Sequence, residues 1–315
     1  MKPDILVAFP LRHRQMAMLE ESYTLHRLDL AKGAEREALL DAAGPRCTAM
    51  VSNGHVVVDR GLLAQLPALK LVACSSAGYD QMDVEAMTER GIKLTNTSEV
   101  LCDDVADTAL MLMLAVRRRL PEGDRYVRSG DWGRKGMMPL TTSTGGKKAG
   151  IVGLGRIGLA IARRCEAVGL TIGYYGRTEK SGNAFAYFDD PVKLAAWADI
   201  LIVATPGGPS TEGLISAKVL DALGPTGSFI NISRGTVVDE PALIRALQER
   251  RIASAGLDVY LNEPHPDPAF SDLDNVVLYP HHASGTEETR DRMAQLTVDN
   301  LAAFFGGRPL LTPVN

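Results

Sequence analysis

Several things are missing from this chain of 315 residues, and each absence removes a class of function. No stretch of ~20 consecutive apolar residues is present to span a bilayer. The longest apolar run, Val105 to Val116, is interrupted by Asp107 and reads as a packed helix. The formal net charge is −4, so no global positive field exists to hold a polyanion, and neither nucleic acid nor a membrane is an expected partner. The start of the chain runs straight into the strand-like "DILVAF" without the apolar core and small-residue cleavage site of a signal peptide, which sets a cytoplasmic location as the expectation. Cysteine is scarce. Cys47, Cys74, Cys102 and Cys165 lie far apart and form no C-x-x-C pair, which argues against a zinc ribbon or a thioredoxin-type site. They read as buried or idle thiols, and no metal is expected.

What the chain does have is alternation. Short apolar strands alternate with helical patterns from end to end, the signature of βαβ units around parallel sheets. Candidate strands are Ile5–Phe9, Thr48–Val51, Leu69–Cys74, Gly150–Gly153, Thr171–Tyr175, Ile200–Ala204, Ser228–Ile232, Ala255–Val259 and Val276–Tyr279. The length exceeds the roughly 250–300 residues at which a single core stops growing. The expected fold is therefore α/β, with two doubly wound, Rossmann-like parallel-sheet domains. A helix over Asp104–Arg119 ends in three arginines, Arg117 to Arg119, read as cations at a helix C-terminus rather than a basic patch. A last helix, Thr286–Phe305, carries an apolar face of Met293, Leu296, Leu301 and Phe305.

The strongest motif is "GIVGLGRIGLAIARRC", in which Gly153-x-Gly155-x-x-Gly158 follows a β-branched strand and opens an amphipathic helix. Gly153 allows the tight turn, Gly155 the approach of a pyrophosphate, and Gly158 the packing of helix on strand. Leu154, Arg156 and Ile157 complete the loop; the competing reading is a glycine-rich turn with no ligand. An NAD-binding unit presents a carboxylate about 20 residues further on, at the end of the next strand. Here that place falls on Gly176, followed by Arg177 and Thr178, with no carboxylate before Glu179. Arg177 suits a 2′-phosphate, with Thr178 and Lys180 as further donors, so the expected cofactor is NADP(H). The competing reading makes Arg177 a solvated loop arginine.

Three later stretches, "INISRG", "LNEP" and "YPHHASG", each place a polar residue just beyond a strand's C-terminal end, where open α/β sheets bind ligands. They supply Arg234, Glu263 and His281. Together these form a set able to reduce a 2-oxo acid: Arg234 binds the carboxylate and polarises the carbonyl, His281 donates a proton, and Glu263 keeps His281 charged. Taken singly, each reads more readily as an ion-pair or capping residue than as a catalyst; their joint occurrence in three motifs reverses that.

With "SSAGYDQMDVEA" (75–86), "VLCDDVADTALMLMLA" (100–115), "VGLGRIG" (152–158), "NISRGTVVDEPAL" (231–243), "AGLDVYLNEP" (255–264) and "YPHHASGTEETR" (279–290), the chain resembles the D-isomer-specific 2-hydroxyacid dehydrogenase family over nearly its whole length. Gly176-Arg177-Thr178 makes it most similar to the NADPH-dependent glyoxylate/hydroxypyruvate reductases. The resemblance implies a discontinuous substrate-binding domain, 1–99 plus 286–315, a dinucleotide-binding domain, 100–285, and an active site in the cleft between them. It implies that Gly54 and the amides of Ala77 and Gly78 hold a small 2-oxo acid with Arg234 and His281. It also implies that Thr205, Pro206, Ile232, Asp258 and Ala283 contact the cofactor, Asp258 facing the nicotinamide carboxamide. Ala283 matches a small residue two places after the catalytic histidine, which selects His281 and leaves His282 a structural or substrate-facing role. The family's homodimer is expected, with Trp132 on an exposed arm. Open alternatives are an NAD-dependent dehydrogenase of another substrate, of phosphoglycerate, formate or hydroxyphenylpyruvate type, and a non-enzymatic dinucleotide-sensing interaction protein.

Overall fold

A computed structural model describes residues 2–315; Met1, at the head of the expected substrate-binding domain, lies outside them. The chain divides into two compact units, one running up to Leu101 and resuming at Ser284–Asn315, the other Cys102–Ala283.

The first unit holds β1 (Asp4–Val7), β2 (Thr24–Arg27), β3 (Ala49–Ser52), β4 (Leu71–Cys74) and β5 (Lys93–Thr95), all parallel, in the order β2-β1-β3-β4-β5. Successive strand residues face opposite sides, and both sides are covered, which is why the central strands are continuous apolar runs. Ile5, Val7, Ala49 and Val51 pack with Met16, Leu19, Val298 and Leu301 from the helices His13–Ser22 and Glu287–Phe305. On the other face Leu6, Met50 and Val72 pack with Leu40, Leu63 and Met87 from three further helices. Thr286 caps the last helix by accepting the amide of Thr289 at 3.2 Å.

The second unit holds β6 (Lys148–Val152), β7 (Thr171–Tyr175), β8 (Ala186–Phe188), β9 (Ile200–Val203), β10 (Ser228–Asn231), β11 (Ser254–Leu257) and β12 (Val276–Leu278). They form one parallel sheet in the order β12-β11-β10-β9-β6-β7-β8. Strand order reverses between β6 and β9, the kind of switch point at whose carboxyl side ligands bind. The glycine-rich loop follows β6 directly.

All nine expected strands are present, and three more appear: β2, β5 and β8. Each of the three is a sheet edge. The helix expected from Asp104 begins at Ser98, because Leu101 and Val105 already belong to the buried stripe that continues through Ala109, Leu112 and Val116. Arg117 stands in the last turn of this helix, as expected, and has a further task. It is 6% exposed, donates to the Ser143 carbonyl at 2.7 Å, and burial lowers its pKa. Arg118 reaches Thr141 at 3.1 Å and Arg119 pairs with Glu122, so the arginines pin neighbouring chain as well as ending a helix. Cys47, Cys74 and Cys165 are buried, as expected, Cys102 is half-buried, and none of the four is in a disulfide, with burial pushing Cys165 up to about 12. No helix among the described residues is long and apolar enough to cross a membrane.

Candidate active site

Gly153 leaves β6 at φ +97°, and a Cβ there would lie 2.9 Å from the amide nitrogen of Thr205, so both conformation and space demand glycine. A Cβ on Gly158 would meet the Gly153 carbonyl at 2.0 Å. That contact seats the helix Arg156–Ala167 against the turn. At Gly155 nothing lies within 4 Å of the same position, and no side chain caps the helix. Open space in front of uncapped N–H groups suits a pyrophosphate, so the residues present fit a dinucleotide. Leu154 is buried and Arg156 exposed, while Ile157 is half-buried. Thr205 and Pro206 follow β9, Thr205 backing Gly153, and Ile232 is buried just past β10.

After β7 the chain turns through Gly176 into an exposed run, Arg177 to Lys180. The Arg177 side chain makes no hydrogen bond or ion pair among the described residues.

The three expected catalytic residues leave neighbouring strands. Asn231, at the end of β10, closes the turn that carries Arg234: its Oδ1 accepts the Ser233 amide at 3.0 Å and its Nδ2 donates to the Arg234 carbonyl at 3.0 Å. Glu263 follows β11 and His281 follows β12, and the two meet, with Oε2 2.5 Å from Nδ1. Burial by itself pushes the Glu263 carboxyl up. Hydrogen bonds from His281 and from the Tyr260 amide, with the charges of His281 and Arg234, outweigh it and hold the group below its ordinary value. A cavity of about 320 Å³ opens beside the pair, bordered by Tyr260, Pro264, Leu278 and Tyr279. A larger one, about 530 Å³, lies at the opposite, amino ends of β10 to β12 and contains none of the expected site residues.

His281 has φ +48°, a left-handed backbone that is uncommon outside glycine. Asp258 holds it there. The Asp258 carbonyl accepts the His281 amide at 2.7 Å, Oδ1 accepts the His282 amide at 2.7 Å, and Oδ2 accepts the Ala283 amide at 3.0 Å. Asp258, expected to face the nicotinamide carboxamide, is 1% exposed, and each of its carboxylate oxygens accepts an amide of this turn. Burial raises its pKa, and the amides, with His281, work against that rise. Ala283 is buried, and His282 lays its ring edge-on to Tyr279 at 6.0 Å.

Two supporting residues were not legible beforehand. The Tyr260 amide donates to Glu263 Oε1 at 2.9 Å, while its hydroxyl reaches across to the backbone of Tyr279. Glu240, 6% exposed, accepts the Leu261 amide at 2.9 Å and so steadies the same loop from behind. Both lie inside motifs quoted above, but only their partners reveal the task.

In the other unit, Gly54 follows β3 and Ala77 and Gly78 follow β4. A Cβ on Gly54 would lie 2.3 Å from the Gly78 carbonyl, so the two loops meet only because glycine stands there. Ser76 donates to that carbonyl at 2.7 Å, and Asn96 Nδ2 donates to the Ala77 carbonyl at 3.0 Å. The amides of Ala77 and Gly78 make no hydrogen bond among the described residues.

Residues 110–283 match the family "D-isomer specific 2-hydroxyacid dehydrogenase, NAD binding domain". This chain belongs to the D-isomer-specific 2-hydroxyacid dehydrogenases. It is 46% identical to a hydroxyphenylpyruvate reductase of Plectranthus scutellarioides, over 98% of each chain. Identity is also 46% to a glyoxylate/hydroxypyruvate reductase of Arabidopsis thaliana, again over 98% of each. An NADPH-dependent glyoxylate/hydroxypyruvate reductase of Sinorhizobium meliloti, solved with NADP and malonate, matches with a TM-score of 0.90 at 41% identity, over 100% of this chain and 97% of that one. Membership accounts for the two parallel-sheet units and makes the protein a nicotinamide-dependent oxidoreductase acting between 2-oxo and 2-hydroxy acids.

Proposed function

We propose that this dehydrogenase works as an NADPH-dependent reductase of a small 2-oxo acid, glyoxylate, hydroxypyruvate or a related compound, forming the D-2-hydroxy acid. The observation that carries the reading is the bond between His281 Nδ1 and Glu263, which leaves Nε2 as the nitrogen that can deliver a proton. The nicotinamide supplies the hydride when the cofactor is bound. His281 protonates the carbonyl oxygen, Arg234 polarises the carbonyl and grips the carboxylate, and Glu263 stabilises the imidazolium. The amides of Ala77 and Gly78, with Gly54 beside them, are the proposed receptors of the substrate carboxylate. Asp258 serves the reaction by posing His281.

NADPH is favoured over NADH because Gly176 stands where an NAD-binding unit has an acid, and Arg177, unpartnered, follows it, with Thr178 and Lys180 further along the same exposed run. The relatives named above support the substrate class, and the Sinorhizobium enzyme supports the cofactor. Cysteines outside any disulfide suit a cytoplasmic setting. A homodimer is supported by the exposed apolar side chains of residues 120–140, where Trp132 is 62%, Met137 81% and Leu140 89% exposed.

The deciding experiment follows the oxidation of NADPH and NADH with glyoxylate, hydroxypyruvate and hydroxyphenylpyruvate. A charged hydrogen-bonded contact worth roughly 1.5–3 kcal/mol corresponds to a roughly 10- to 150-fold preference for NADPH. Equal use of both cofactors, or a preference for NADH, removes the cofactor assignment. Tight NADPH binding with no turnover of any 2-oxo acid points instead to a sensing role.

A further inference from the structure

We propose that Tyr174 and Tyr187 are positioning residues for cofactor selectivity: their hydroxyls hold the two ends of the loop Gly176–Lys180 and so preset Arg177 and Thr178 for a 2′-phosphate. The inference rests on the NADPH reading. Strands β7 and β8 are parallel neighbours in a register that sets Tyr174 opposite Tyr187. Directly opposed residues share a face of the sheet, and the rings lie with centroids 5.5 Å apart and planes inclined at 50°. The Tyr174 ring is 1% exposed, and its hydroxyl accepts the Lys180 amide at 2.8 Å. The Tyr187 hydroxyl donates to the Gly176 carbonyl at 3.2 Å. One phenol thus ties the loop at Gly176, where it leaves β7, and the other ties it four residues later, at Lys180.

Between the two ties the loop is exposed, and the Arg177 side chain has no partner among the described residues. An arginine on a free loop loses conformational entropy when it grips a phosphate, whereas one on a fixed loop loses less. NADH has no 2′-phosphate and makes no such demand. The two hydroxyls therefore act on NADPH and not on NADH.

The test measures direct binding of NADPH and of NADH by fluorescence titration to Tyr174→Phe, Tyr187→Phe, Arg177→Ala and the double variant Arg177→Ala/Tyr187→Phe. Tyr→Phe removes only the hydroxyl, and a melting curve on each variant checks the fold. Each single tyrosine variant is expected to raise the Kd for NADPH roughly three- to tenfold, the scale of ordering one long side chain, and to leave that for NADH within about twofold. In the Arg177→Ala background, Tyr187→Phe is expected to have no further effect on NADPH. If Arg177→Ala abolishes the NADPH preference while both tyrosine variants keep it, the tyrosine proposal is overturned alone. Equal weakening of NADPH and NADH overturns it too, by showing a general structural role. A preference unmoved by Arg177→Ala overturns the cofactor reading and the tyrosine proposal with it.

Discussion

The hydroxyl of Tyr260 lies 2.9 Å from the carbonyl of Tyr279 and donates to it, while the Tyr279 amide donates back to the same hydroxyl at 3.1 Å. Burial pushes the phenol up to about 12, so it stays protonated at neutral pH. One side chain thereby locks the loop that carries Glu263 to the loop that carries His281. Tyr260→Phe is expected to lower stability by about 1 kcal/mol, because the Tyr279 carbonyl loses its donor while the Tyr279 amide keeps the Leu257 carbonyl at 2.8 Å. It should lower kcat more than it raises KM, since loosened dyad geometry affects proton delivery and not substrate binding. Denaturant unfolding and steady-state kinetics check both; unchanged kcat removes Tyr260 from the support of the site.

The two adjacent histidines separate by their contacts. His281 meets Glu263, whereas the His282 ring lies against Tyr279. His281→Ala is expected to reduce kcat roughly 10²- to 10⁴-fold, the usual contribution of a general acid, and His282→Ala to leave most activity. Each variant must still bind NADPH. A dead His282→Ala enzyme beside an active His281→Ala enzyme would place the acid one residue further along.

Glu263 links pH to stability and bears on activity. Its folded pKa is depressed, so its stabilising contribution is fully present above the ordinary carboxylate range and is lost as pH falls through the folded value. The stability gap between the wild type and Glu263→Gln should therefore be widest at neutral pH and close in acid. Reduction consumes a proton that the imidazole delivers, so Glu263→Gln, which removes the carboxylate that holds Nδ1, should also lower kcat for reduction. A stability gap that stays constant with pH, beside an unchanged kcat, would exclude the carboxylate from this role.

Two glycines of one loop should answer differently to alanine. At Gly158 the added methyl meets a carbonyl at 2.0 Å, so Gly158→Ala should destabilise the apo-protein by about 1–3 kcal/mol through overpacking. At Gly155 the space is open, so Gly155→Ala should leave the apo-protein's melting temperature at or slightly above the wild type while weakening dinucleotide binding. Thermal melts with and without NADPH distinguish the two. Unweakened binding by Gly155→Ala would show that no ligand approaches there.

Residue type and order marked by themselves the α/β alternation, the nine strands with apolar runs, the glycine loop and Arg234, Glu263 and His281 as candidates. Strands buried on both faces must be apolar throughout, and glycines that face a backbone or a phosphate admit no substitute, so both leave marks in the order of residues. Edge strands can leave fewer: β12 is an edge whose "VVL" is still apolar, but β2, β5 and β8 pair on one side only and are partly exposed, and "TLHR", "KLT" and "AYF" carry no apolar run to announce them. Tertiary structure alone decided the supporting roles. The Asp258 carboxylate grips amides 24 and 25 residues away, and the Tyr260 hydroxyl one 19 residues away. Tyr174 and Tyr187 share a face only because β7 and β8 pair in that register. Such partners are set by how strands align and where their loops end, and a side chain's type does not specify which distant backbone group it will meet.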